Sequence, residues 1–230
     1  MAGTTAPTSW PPDVWTMADF HRHLGDVPPE RIRMIPLPGT ATVEDAVKSE
    51  SGGRMVCELI DGTLVEKTMG FMESRVAIAV AYLIESYLDH NPLGIVAGPD
   101  GMLRIFPDQV RIPDVSFVRW EQFPGGKLTS EPAPAIAPDL AVEILSKGNT
   151  PAEMDRKLRD YFAAGVRLVW YIDPATRSAR AYTAADQHTE IDEQGALSGG
   201  DLLPGFELPL AELLARAERR GVAGDAGATA

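Results

Sequence analysis

The periodic segments of this chain come in an order that few folds accommodate. Residues 55–60 and 63–67 flank Asp61-Gly62, a dipeptide suited to a tight hairpin turn. From Phe71 to Leu88, Ala77, Val80, Ala81, Ile84 and Leu88 recur at helical spacing, and Asn91-Pro92 ends the run. Three strand-like pieces follow at 94–97, 102–106 and 110–119. A connection containing Pro124-Gly125-Gly126 then leads to a short apolar strand at 139–145. Thr150-Pro151 opens a helix through Ala164, with threonine as cap and proline at the first helical position, and Gly165 stops it. Residues 166–172 are apolar again, Asp173-Pro174 closes them, and 179–183 turns back against them. Helix, three strands, helix, strand, with a hairpin before and more β structure after, predicts an α/β fold with a central mixed sheet flanked by helices.

Outside this middle the chain is less regular. Thr16 with Asp19 starts a short helix to about Leu24, and Thr42 caps another through Lys48. Between them, Pro28, Pro29, Pro36 and Pro38 make 27–39 irregular. The expected organisation is a disordered lead-in over 1–15, one domain over 16–215 with its core at about 54–185, and a disordered tail over 216–230. A single cysteine, Cys57, excludes an intramolecular disulfide and any CxxC-type zinc site, and reads as a small buried strand residue. No apolar run approaches the ~20 residues of a membrane span, and no basic-then-apolar signal opens the chain, so a cytoplasmic protein without membrane contact is expected. The 33 acidic and 21 basic residues leave a net charge of −12. That balance argues against a broad, sequence-indifferent grip on nucleic acid, which needs many phosphate-neutralising cations. It leaves open an enzyme whose metal ions and local basic residues handle the phosphate.

Common catalytic signatures are missing: no GxxxxGK[ST] loop, no GxGxxG, no GxSxG elbow and no HExxH. His21 and His23 fall in the short N-terminal helix and read as surface residues, as do His90 and His188. What remains is a pair of carboxylates in apolar surroundings. Asp114 follows Pro113 within Val-Arg-Ile-Pro-Asp-Val-Ser-Phe-Val, and Glu143 sits in Leu-Ala-Val-Glu-Ile-Leu. A mid-strand carboxylate is costly to bury unless paired or metal-bound. Either alone also fits the solvent side of an amphipathic strand. Two on neighbouring strands, followed by a helix bearing Lys157, suit a hard cation such as Mg²⁺, which takes one or two protein carboxylates plus water and phosphate.

Five linked blocks give these residues a context: Glu58-Leu-Ile-Asp-Gly62, Arg111–Val118, Asp139–Ser146, Thr150–Tyr161 and Gly165–Pro174. In this order they resemble the PD-(D/E)xK nuclease superfamily, and more closely its Uma2 branch of restriction-type endonucleases. The resemblance implies a restriction-endonuclease-like core (αβββαβ) with an N-terminal hairpin and helices added. The linear motif places its lysine two residues after the acidic one, where this chain has Leu145. The Uma2 pattern resembles a migrated arrangement with the lysine on the following helix, the place of Lys157. Glu153, Lys157 and Tyr161 share one helical face, beside a packing stripe of Met154, Leu158 and Phe162. The plain alternative for Lys157 is a solvated lysine paired with Glu153, and Lys147 is its rival for the catalytic role. Glu58 matches the family glutamate and either completes the site or stands exposed on its strand. Glu73 lies where the superfamily often keeps a helical glutamate. Trp170 and Tyr171 read as core.

The activity implied is metal-dependent endonucleolytic hydrolysis of phosphodiesters, most readily in DNA. Asp114 and Glu143 would hold Mg²⁺, with Mn²⁺ expected to substitute, and the Ile144 carbonyl would be a further oxygen. Lys157 would act on the water or the transition state, with Glu58 completing the catalytic set. Cleaving both strands of a duplex suits a homodimer. The competing expectations are a nuclease-like scaffold that binds without cutting, and a hydrolase of small phosphoesters on the same site.

Overall fold

The computed structural model describes residues 15–51 and 55–219. Most of the expected lead-in and tail therefore lies outside the described residues. Helix α1 (Met17–His23) starts at Thr16 in a full capping box with Asp19, and α2 (Val43–Ser51) runs three residues beyond the expected Lys48. Strands β1 (Cys57–Ile60) and β2 (Thr63–Glu66) form the hairpin. Its turn places Asp61 at φ 46° and Gly62 at φ 68°. Both lie in the left-handed region that a two-residue turn of this kind demands, which is why glycine follows aspartate there.

Helix α3 (Phe71–Leu88) matches the predicted periodicity end for end. After it come β3 (Gly94–Ala97), β4 (Leu103–Phe106), β5 (Gln109–Arg111) and β6 (Val115–Arg119). The single strand expected over 110–119 is thus two strands, and they belong to different sheets. The break falls at Ile112-Pro113-Asp114, where proline has no N–H to donate to a ladder. Strand β7 (Leu140–Ile144), helix α4 (Pro151–Ala163) and strand β8 (Leu168–Asp173) follow as read, with Thr150 capping α4 through the Glu153 N–H. Strands β9 (Ser178–Ala184), β10 (Gln187–Ile191), β11 (Ala196–Ser198) and β12 (Glu207–Pro209) lead into α5 (Leu210–Ala217). Helix α5 thus takes in Arg216 and Ala217, the first residues of the stretch read as tail.

The main sheet has the order β10-β9-β8-β7-β6-β3 and is mixed: β7 and β8 run parallel, the other pairs antiparallel. A second, four-stranded sheet has the order β2-β1-β5-β4, and β11 and β12 make a small ribbon. Period-2 alternation sorts the faces. Leu140, Val142 and Ile144 of β7, with Leu168, Trp170 and Ile172 of β8, pack under α3 and α5. Ala141, Val169 and Tyr171 face the other way, against Met154, Leu158 and Tyr161 of α4. In the second sheet, Cys57, Leu59, Val110 and Ile112 pack together with Ala46 of α2. Residues between them in sequence must face away from that cluster, and Glu58 and Arg111 are among them. They turn toward α4, which is therefore flanked by both sheets. No helix among the described residues is long and apolar enough to cross a membrane.

Candidate active site

Strand parity decides which carboxylates meet. Glu143, alternating with Val142 and Ile144, emerges on the α4 side of the main sheet; Glu58 emerges on the α4 side of the second sheet. Lys157, two turns into α4, reaches both: its ammonium lies 3.0 Å from Glu143 Oε2 and 3.2 Å from Glu58 Oε1. Asp114 sits at the crossing between the sheets. Its Oδ2 accepts the Ile144 N–H at 2.7 Å and its Oδ1 meets the Lys67 ammonium at 2.9 Å. The four residues singled out in the sequence are thus brought together. All are buried, with exposures of 4% for Glu58, 5% for Asp114, 4% for Glu143 and 4% for Lys157. The exposed-strand alternatives for Glu58, Asp114 and Glu143 are overturned.

The solvated-lysine alternative for Lys157 falls as well. Glu153 does not pair with it; instead both its oxygens take the Arg31 guanidinium, at 2.8 and 2.9 Å. That fork-on-carboxylate geometry is specific to arginine, and it ties the N-terminal segment to α4. The face shared by Glu153, Lys157 and Tyr161 is buried throughout. Tyr161 donates its hydroxyl to Glu143 Oε1 at 2.5 Å, so both oxygens of Glu143 are fixed from α4.

Two participants, Arg111 and Lys67, were not singled out in the sequence. Arg111 donates to Glu58 Oε2 at 2.8 Å and also bonds Asp160 of α4. A charged residue inside the apolar Val110-Arg111-Ile112 run was the available signal, the same one that marked Asp114. The Lys67 ammonium donates to the carbonyls of Ile112 (2.7 Å) and Pro99 (3.1 Å) besides its contact with Asp114. Nothing in its local sequence announces this.

The charges shape one another. Burial pushes the Glu58 carboxyl up, but the Lys157 ammonium and Arg111 guanidinium outweigh it and hold it at about 2. Glu143 goes the other way. Burial raises it, Lys157 only partly compensates, and the negative charges of Asp114 and Glu58 help lift it to about 7. Lys157 itself is raised, because its two carboxylates outweigh desolvation.

A cleft of ≈ 770 Å³ lies one residue along the chain from this network, and none of Asp114, Glu143, Glu58 and Lys157 lines it. Its wall includes Leu145 and Thr68, next along the chain from Ile144 and Lys67, together with Glu73, Ser146 and Lys147. Lys147 is exposed there, beyond a turn in which Asn149 Oδ1 accepts the Ser146 N–H. Glu73 lies in this wall rather than in the buried network, its carboxylate folded back over Gly70. His21 and His23 are half-buried rather than fully exposed: His21 meets the Val27 carbonyl, and His23 meets Asp61. Trp170 and Tyr171 are core residues.

Asp114 and Glu143 are the residues that could hold a hard cation. Among the described residues no group of three or more His, Cys, Asp or Glu is arranged to hold a metal, which is unlike a closed zinc or calcium cage. Mg²⁺ has the sparser requirement of one or two protein carboxylates. Here all four oxygens of Asp114 and Glu143 are engaged, by Lys67 and the Ile144 N–H on one and by Lys157 and Tyr161 on the other, so an ion would have to displace some of these contacts. The Lys67 ammonium, lodged among Asp114 Oδ1 and two carbonyls, already places a positive charge among oxygen donors of this kind.

The family model described as "Putative restriction endonuclease" matches residues 44–211. Among solved structures, the chain is similar to a protein from Anabaena variabilis described as "a putative nuclease belonging to DUF820". The likeness has a TM-score of 0.63 and 19% identity, covering 70% of this chain and 91% of that one. At that identity it speaks to the fold. No curated protein matches the chain.

Proposed function

The chain belongs to the Uma2 family, and from that premise we propose that it is a divalent-metal-dependent endonuclease acting on DNA. The observation that carries the reading is the convergence of Asp114, Glu143, Glu58 and Lys157 from two sheets and one helix beside an open cleft. Buried charge on this scale is expensive for a scaffold to keep, whereas perturbed carboxylates beside a cleft are what hydrolysis needs.

Asp114 and Glu143 would hold the ion, with the Ile144 carbonyl as a further oxygen. When bound, such an ion acidifies a water and offsets charge on the scissile phosphate. The protein's own part is positioning. Tyr161 fixes one oxygen of Glu143 through its hydroxyl, and Lys157 fixes the other. The backbone N–H of Ile144 fixes Asp114. Glu58, itself anchored by Arg111 and the Ile112 N–H, keeps the Lys157 ammonium charged and in place. Held in this way, Lys157 would serve as a fixed donor to the charge that develops on the phosphate. The phosphate would arrive by way of the cleft, which has exposed Lys147 in its wall.

Incubation of supercoiled plasmid with the protein and Mg²⁺ or Mn²⁺ tests the proposal. Nicked and linear products should appear with wild type and be absent with Asp114→Asn, Glu143→Gln, or EDTA. Cleavage that survives both substitutions would remove the reading. So would intact plasmid with every divalent ion tried, which would favour the scaffold, or the small-phosphoester hydrolase if nucleotides were hydrolysed instead.

A further inference from the structure

Helices α3 and α5 pack side by side over the main sheet, and their outer surface holds a depression of ≈ 390 Å³. It is lined by Arg75, Ile78, Ala79, Tyr82, Arg216 and Arg219. Three of these six are arginine and none is acidic, on a chain whose net charge is −12. Glu218, the acid beside Arg219, is already neutralised by Arg177 at 2.6 Å.

The arginines differ in what they do. Arg75 turns inward, its guanidinium reaching the carbonyls of Ala217 at 3.3 Å and Arg216 at 3.5 Å, and so caps the C-terminal end of α5. Arg216 lies over the Tyr82 ring, 4.3 Å from its centre. That stacking holds the planar fork in one orientation while leaving its N–H edge for an acceptor, which lowers the ordering cost of binding an anion. Arg219 is exposed beside it.

The patch and the cleft share helix α3. Phe71, Arg75, Ile78 and Tyr82 follow one another along one stripe of α3, and Phe71, Ile78 and Tyr82 are 84%, 54% and 53% exposed. The same helix begins at the cleft, where Gly70 and Glu73 form part of the wall. From residue 71 to residue 82 the helix advances roughly 16 Å. At about 3.4 Å per nucleotide of one strand, that distance matches some five phosphates.

We propose that the α3–α5 face binds the phosphate backbone of nucleic acid, with Arg216 and Arg219 as the phosphate contacts, extending the cleft's footprint along α3. The choice of polymer rests on the nuclease reading. The chemistry rests on cationic forks, one of them pre-stacked, on an otherwise acidic protein.

The test is fluorescence anisotropy of a labelled 20-base-pair duplex with the full chain in EDTA, so that nothing is cut, across a series of salt concentrations. Each lost phosphate contact lowers the steepness of log affinity against log salt by about 1. Arg216→Gln/Arg219→Gln should therefore flatten the slope by about 2 and weaken binding equally for unrelated sequences. Arg216→Lys keeps the charge and should keep the slope; losing slope there would point to a structural role and overturn the proposal. An unchanged slope and affinity in the double variant would overturn it too. So would a wild-type dimer that becomes monomeric on double substitution without change in DNA affinity, which would make the face a contact between copies. The outcome is separable from the nuclease reading: DNA binding that depends on Arg216 and Arg219 without any cleavage removes that reading alone, and cleavage with an unchanged slope removes this one alone.

Discussion

Replacing Lys157 with methionine, which keeps the length and loses the charge, should expose how the buried network is balanced. The ammonium is shared between Glu58 and Glu143. Without it Glu58 still has Arg111 and the Ile112 N–H, but Glu143 keeps only the Tyr161 hydroxyl. Removing one partner from a buried ion pair costs about 3–5 kcal/mol, because the other charge stays buried. For a domain of this size that lowers the melting temperature by roughly 2–4 °C per kcal/mol, so by roughly 6–20 °C. The cost must depend on pH. Glu143 is already lifted to about 7 with the lysine present, and losing a cation lifts it further. A carboxyl whose folded value exceeds its unfolded one near 4.5 loses stability as pH rises through that window. The penalty should therefore be near its full size at pH 8 and much smaller at pH 5, where Glu143 is protonated. Adding Glu143→Gln to Lys157→Met should recover about 2 kcal/mol at pH 8, a coupling of the size contacting residues show. Thermal unfolding followed by circular dichroism at both pH values measures all of this. An equal drop at pH 5 and pH 8, or a double variant no better than the single one, would refute the assignment of the cost to Glu143.

Other expectations follow from the same contacts. Arg31→Leu strands the buried Glu153 carboxylate and should cost about 3–5 kcal/mol in a urea unfolding curve; an unmoved midpoint would contradict the pairing. Burial would raise Asp61, but the His23 hydrogen bond and Arg156 hold it at about 2, against an ordinary 3.8. Its stabilisation is thus complete above about pH 4 and is lost as pH falls toward 2, so Asp61→Asn should flatten the acid limb of a stability–pH curve; an identical limb would count against it. Lys157→Ala, assayed well below its melting temperature, should slow single-turnover hydrolysis by about 10²–10³, the usual effect of losing one placed donor. Lys147→Ala should cost far less, and the reverse ranking would sink the migrated-lysine argument.

Much of this could be read from the sequence because it is local. Helical spacing marked α3, the Thr150-Pro151 cap marked α4, and Asp61-Gly62 marked the hairpin. Carboxylates within apolar runs marked Asp114 and Glu143, and the family resemblance added Lys157 and Glu58. What was not legible depends on long-range placement. Periodicity cannot say to which sheet a strand belongs, so the 110–119 run read as one strand although Pro113 marks where the chain crosses between two. Arg31 meets Glu153 across 122 residues, and Arg75 meets the end of α5 across 142. Such pairings follow from packing rather than spacing. Lys67 was missed for the same reason. The basic face on α3 and α5 is not legible as a stripe because Arg75 and Arg216 lie 141 residues apart.

The central claim is that Asp114 and Glu143 together hold the ion that hydrolysis uses. Anomalous diffraction from crystals grown or soaked with Mn²⁺ tests it most directly. One anomalous peak bonded to oxygens of both carboxylates is expected, at roughly the 2.0–2.1 Å of a Mg²⁺ site or slightly longer, with Lys157 close by and still paired with Glu58. No peak at these residues, in crystals of a protein that cleaves DNA with Mn²⁺ in solution, would contradict it.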